Sequence, residues 1–143
     1  MRPSIAAILA VCVCSSEAAI IGVLAPESIR IGSVADLKIW TGSVKPRADD
    51  IAVAFGWSSR DSAVEGNIGN LLRYTYLGPY ESNLGLFNIS IPVRFPADIP
   101  KGEGVISASI FSLLHDQNVA HLRNFQINVT FDDKTTSPNY VFQ

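Results

Sequence analysis

Apolar residues recur at every second position along most of this chain and almost nowhere at helical spacing, which restricts it to a fold built from strands. Leu37, Ile39 and Thr41 alternate with Lys38 and Trp40. In residues 51–57, Ile51, Val53, Phe55 and Trp57 share one face while only Ala and Gly occupy the other, which predicts a central strand covered on both sides. Residues 72–77 form a further strand, ended by Gly78-Pro79. Residues 87–93 alternate until Pro92, which marks an edge or a strand end. Residues 105–113 and 125–131 continue the set, and opening strands near 20–23 and 28–31 bring it to about seven or eight.

Turn-forming residues separate these runs: Gly42, Lys45-Pro46, and the segments 67–70, 79–83 and 96–102. Short strands with turns at such spacing predict an all-β fold, a two-sheet antiparallel sandwich with immunoglobulin-like topology. There is no internal repeat and no linker, so residues 19–133 are read as one domain and 134–143 as a short polar tail.

Residues 1–18 have the order of a cleavable export signal. Arg2 supplies the positive start, residues 5–13 an apolar run, and Ser16-Glu17-Ala18 a small-x-small context for cleavage after Ala18. The run is shorter than the ~20 residues of a membrane span. Both cysteines, Cys12 and Cys14, fall inside residues 1–18, so the exported chain is expected to hold together without disulfides. Its length supports that expectation, because a domain of this size buries roughly two-thirds of the surface its unfolded form exposes. A secreted, extracellular protein is the implied product, with no membrane insertion.

The net charge of −2 is spread without a basic stripe or a polybasic run. This composition argues against a nucleic-acid partner and against an anionic membrane surface. Partners are expected to be met through shape and aromatic contacts.

Residues able to carry chemistry are few. Asn88-Ile89-Ser90 and Asn128-Val129-Thr130 are glycosylation sequons, and the strand phase turns both Asn88 and Asn128 to solvent. His115 and His121 flank Asp116-Gln117-Asn118 in what reads as a loop, without the further partners a metal site needs. Asp49-Asp50 and Asp132-Asp133 lie at strand boundaries, where short acids serve turns. A nucleophile elbow, a phosphate loop and a thiol nucleophile are missing, so neither catalysis nor a cofactor or metal is expected. Among the aromatics, Trp57 and one of Tyr74 or Tyr76 are assigned to the core, and Tyr80 to a turn-rich loop.

The same segments resemble a known family, the necrosis-inducing secreted proteins of fungi. The resemblance is carried by residues 52–57 (Ala-Val-Ala-Phe-Gly-Trp), 76–83 (Tyr-Leu-Gly-Pro-Tyr-Glu-Ser-Asn), 91–102 and 107–113 (Ser-Ala-Ser-Ile-Phe-Ser-Leu), and it runs from about Ile20 to Asp132. It implies a secreted effector that associates with host plant immune receptor-like kinases and inhibits them, suppressing pattern-triggered immunity and in some members causing cell death. The meeting place would be the host apoplast or the host cell interior. No contact motif of the family is carried over to particular residues.

Two uses of such a fold follow. In the first, loops 77–86 and 114–122 lie away from the packed strands and dock on a kinase, with Tyr80, Glu81, Asn83, Leu114, His115, Asp116 and His121 as contact candidates in a monomeric protein. In the second, the chain is a carbohydrate-binding or cell-wall module, which needs an exposed aromatic strip such as Trp40 beside a tyrosine of a neighbouring strand.

Overall fold

A computed structural model describes residues 18–43, 48–78, 88–114, 119–134 and 136–143. The strands are β1 (Ala18–Pro26), β2 (Ser28–Arg30), β3 (Val34–Ser43), β4 (Ala48–Ser59), β5 (Asn70–Tyr76), β6 (Asn88–Arg94), β7 (Gly102–Leu114), β8 (Val119–Asp132) and β9 (Tyr140–Phe142). A short 3-10 turn, Arg60–Ser62, follows β4. The strands form a four-stranded sheet in the order β6-β3-β1-β9 and a five-stranded sheet in the order β2-β8-β7-β4-β5.

The alternation read from the sequence decides which side chains enter the core. On β3, Leu37, Ile39 and Thr41 are fully buried, and register places Leu37 opposite Ile91 and Ile39 opposite Ile89 of β6. The facing layer comes from Val53 and Phe55 of β4, Ile106, Ala108 and Ile110 of β7, and Ile127, Val129 and Phe131 of β8. Trp57 meets Phe131 edge-on with centroids 5.8 Å apart, a favoured aromatic geometry. Gly104 makes room for the Phe131 ring: a Cβ there would sit 2.3 Å from it.

Two arginines tie the sheets together at their flanks. Asp50 of β4 is fully buried and accepts the Ile20 N–H of β1 at 2.6 Å, the Ser112 hydroxyl of β7 at 2.5 Å and Arg123 Nη2 of β8 at 2.6 Å. The other guanidinium nitrogen of Arg123 donates to the Ile20 carbonyl. On the opposite flank, Arg73 of β5 donates to the Pro92 carbonyl of β6. Sequence reading gave Asp50 a turn role; the structure makes it the hub of an inter-sheet clasp, because β4 begins two residues before it and points its side chain inward.

Three further differences have simple causes. The pairing within the two sheets is not antiparallel throughout, since β2 pairs with β8 in parallel, Ser28 opposite Thr130 and Arg30 opposite Asp132. Only Glu27 separates β1 from β2, so the chain changes sheet without reversing direction. Residues 140–142, read as part of a polar tail, form β9 and pair with β1. The outer face of β4 is covered only in part: Ala52 and Ala54 remain half-exposed, whereas Gly56 is buried under the backbone of Ile68.

Lys101 and Asp133 fasten the start of β7 to the end of β8 through an exposed 2.5 Å ion pair. The hydrogen bond from Lys101 holds the Asp133 carboxyl down at about 2, and the same contact raises the Lys101 ammonium.

Candidate functional site

Tyr74 and Tyr76 are the most exposed large aromatics among the described residues, at 75% and 67%. Neither packs the core, which corrects the assignment made from sequence. Register explains it. Val53 and Phe55 point inward and pair with Thr75 and Arg73, so the intervening Ala52 and Ala54 pair with Tyr76 and Tyr74 on the outside. Alternation alone could not fix which phase of 72–77 faces the core, because both phases carry apolar atoms.

The outer face continues across the sheet. One row runs Tyr76, Ala52, Phe111, Leu122 from β5 to β8, and the next runs Tyr74, Ala54, Ser109, Asn124. Leu113 extends it toward the β7 end, opposite Asp49 and Ala120. Leu122 is 57% exposed, and Phe111 and Leu113 are each exposed as well. The small Ala52 and Ala54 stand between the tyrosines and the β7 residues Phe111 and Ser109 in these rows. Of all these residues only Asp49 carries a charge.

The segment 63–69 bounds this face. Gln126 Nε2 donates to the Val64 carbonyl at 2.8 Å, and a Cβ at Gly56 would lie 2.1 Å from the Ile68 carbonyl oxygen. One end of the outer face is therefore covered, while at the other end Tyr76 and Leu122 are exposed.

The contact candidates named from sequence distribute unevenly. Tyr80, Glu81, Asn83, His115 and Asp116 lie outside the described residues. Leu114 is the last residue of β7, half-buried and opposite Val119. His121, expected in a loop, lies inside β8 opposite Ser112, because the β7–β8 ladder extends to Leu114 and Val119. Leu77, expected away from the packed strands, is buried and donates its N–H to the Ile51 carbonyl. Ala18 is the first residue of β1.

On the other sheet, Trp40 is 40% exposed and meets Phe142 edge-on at 5.2 Å, while Lys38 sits 4.0 Å above the Tyr140 ring. The neighbour of Trp40 is thus Phe142 rather than a tyrosine. Gly22, opposite Trp40, permits this, since a Cβ there would lie 2.2 Å from the Phe142 ring. Asn88 is exposed and opposite Trp40. Asn128 is exposed and opposite Val105, at an open cleft of about 420 Å³ shared with Arg60, Gln126 and Gln143. Among the described residues no three His, Cys, Asp or Glu side chains gather as a metal set, and no helix is long and apolar enough to cross a membrane.

The fold is similar to that of a superoxide reductase (neelaredoxin) from Ignicoccus hospitalis, with a TM-score of 0.50 over 82% of this chain and 83% of that one. Identity is 11%, so the likeness is one of fold alone. In sequence, the chain is 35% identical over 126 residues to necrosis-inducing secreted protein 1 of Colletotrichum higginsianum, covering 88% of this chain and 86% of the relative. It is 32% identical over 122 residues to the protein of that name from Colletotrichum orbiculare, covering 85% and 75%. The model of the Nis1 family matches residues 16–130, a span that takes in β1 through β7 and all but the last two residues of β8, and this chain belongs to the Nis1 family.

Proposed function

We propose that this protein is a secreted effector that binds host plant immune receptor-like kinases and inhibits them, suppressing pattern-triggered immunity and inducing cell death in plant tissue. The observation that carries the reading is the open outer face of the five-stranded sheet, with Tyr74, Tyr76, Phe111, Leu113 and Leu122 exposed together. A soluble domain gains nothing by showing such a face to water, and contiguous exposed apolar surface marks an interaction site. Tyrosines are frequent energetic anchors of protein interfaces. Membership of the Nis1 family and the names of its two Colletotrichum relatives support secretion and the effector role.

The protein acts by occupancy, as a monomer and without chemistry of its own: the sheet face docks on the kinase and holds it away from its active arrangement. A stable contact needs ~800 Å² per partner, a good share of one sheet face. The encounter takes place in the host apoplast or the host cell interior. An immunoglobulin-like topology belongs to the same reading. Its support is the strand order, in which β6-β3-β1 and β8-β7-β4-β5 match the E-B-A and G-F-C-C′ orders of that class.

The test is a pull-down of residues 19–143 against receptor-like kinase cytoplasmic domains, with phosphorylation measured in the same tubes. Binding with lost phosphorylation upholds the proposal. Absence of binding across the panel, with retention on insoluble polysaccharide that disappears in Trp40→Ala, gives the case to a carbohydrate-binding module.

A further inference from the structure

We propose that Asn88 carries an N-linked glycan whose first sugar packs on Trp40, so that the exposed tryptophan is the seat of the protein's own carbohydrate. A sequon by itself is weak; its place in the sheet strengthens it. Antiparallel register sets Asn88 directly opposite Trp40, and side chains so paired lie ≈ 4.5–5.5 Å apart at Cβ on one face. Ser90, the third residue of the sequon, is exposed on the same face opposite Lys38. Ile89 points the other way and packs against the core. Both acceptor groups are therefore presented while the residue between them anchors the strand.

Trp40 is built as a platform. Gly22 leaves room for the Phe142 ring, which meets the indole edge-on, and Trp40 still keeps 40% of its surface open. Nothing in the chain covers the remainder among the described residues. The C–H groups of an N-acetylglucosamine ring fit an aromatic surface, whose negative face attracts them. Strand β6 is also the last of its sheet in the order β6-β3-β1-β9, and edge strands expose backbone that can pair with another chain. A glycan rooted at its first residue shields that edge.

The attachment balances simply. The Asn88 amide nitrogen takes the anomeric carbon of a lipid-pyrophosphate-linked oligosaccharide; a C–N bond forms, the C–O bond to phosphate breaks, the nitrogen loses one proton, and the lipid pyrophosphate leaves. This needs passage through the secretory route, so the inference rests on the secretory reading of the protein.

The full chain, residues 1–143, is expressed in a yeast secretion host, and protein from medium and cells is weighed intact before and after enzymatic glycan release. Expected are a mature N-terminus in the medium, conversion of Asn88 to Asp on release, and loss of that glycan in Asn88→Gln and in Ser90→Ala. Trimming the glycan should lower the melting temperature by about 2–4 °C, and Trp40→Ala should abolish the difference between trimmed and untrimmed protein. Protein in the medium with Asn88 bare overturns the inference and leaves the secretory reading standing. A glycan whose trimming acts equally in Trp40→Ala overturns the seat on Trp40. Protein retained in cells, unprocessed and unglycosylated, overturns both.

Discussion

Arg123 holds Asp50 and the Ile20 carbonyl at once, so one side chain of the five-stranded sheet grips a carboxylate of its own sheet and the backbone of the other. The pair is 2.6 Å apart with Asp50 wholly out of water. Breaking such a buried pair from one side costs about 3–5 kcal/mol, because the survivor is left without its partner. Asp50→Ala and Arg123→Met should each lower the unfolding free energy by about that much in urea titrations. Replacing both, Asp50→Leu with Arg123→Met, should recover part of the loss. A single substitution costing under about 1 kcal/mol would show that the clasp does not hold the sheets together.

The sheet face should answer differently. Tyr76→Asp with Leu122→Asp places two charges on a surface already exposed to water, where substitutions usually change stability by about 0.5 kcal/mol or less. The kinase association proposed for this face should fall at least ~10-fold, about 1.4 kcal/mol, while the melting curve stays in place. Retained affinity would move the docking site elsewhere on the molecule.

Gly22 is a position of space rather than backbone strain. In Gly22→Val the new methyls meet the Phe142 ring, which must leave. Overpacking of this kind costs about 1–3 kcal/mol. Strand β9 should loosen, with faster hydrogen exchange at Val141 and Gln143 and a shift in tryptophan emission from Trp40.

For the pair Lys101–Asp133 the expected pH dependence has a defined sign. The Asp133 carboxyl, held at about 2 against an ordinary 3.8, contributes stability that is complete above 3.8 and is lost as pH falls through about 2. Lys101, raised above 10.5, contributes below that value and loses it as pH rises through its folded value. Both side chains are exposed, so the effect is small and weakens with salt. Carboxyl titration by NMR should find Asp133 near 2 and return it toward 3.8 in Lys101→Met.

The strands themselves were legible, because burying one face of a sheet forces alternation, and Leu37, Ile39, Phe55 and Ile91 all went where their phase put them. The outward phase of Asn88 and Asn128 was legible for the same reason. Tyr74 and Tyr76 were not, since their side is fixed by register against β4 and not by their own segment. Asp50 was hidden because a buried carboxylate is recognised only by its partners, which come from Ile20, Ser112 and Arg123, all distant in sequence. Strand β9 gave no signal either: three residues carry too little pattern, and their place is set by β1.

That last pairing has a consequence for when the molecule can finish folding. Strand β1 lies between β3 and β9, so the stretch beginning at Ala18 is completed by residues 140–142. A chain emerging in order has every strand from β1 to β8 in hand and still lacks the ribbon that closes its first one. Such long-range closure is slow. Until residues 140–142 arrive, β1 therefore stays open on one flank, and the finished sheet is a product of arrival rather than of departure.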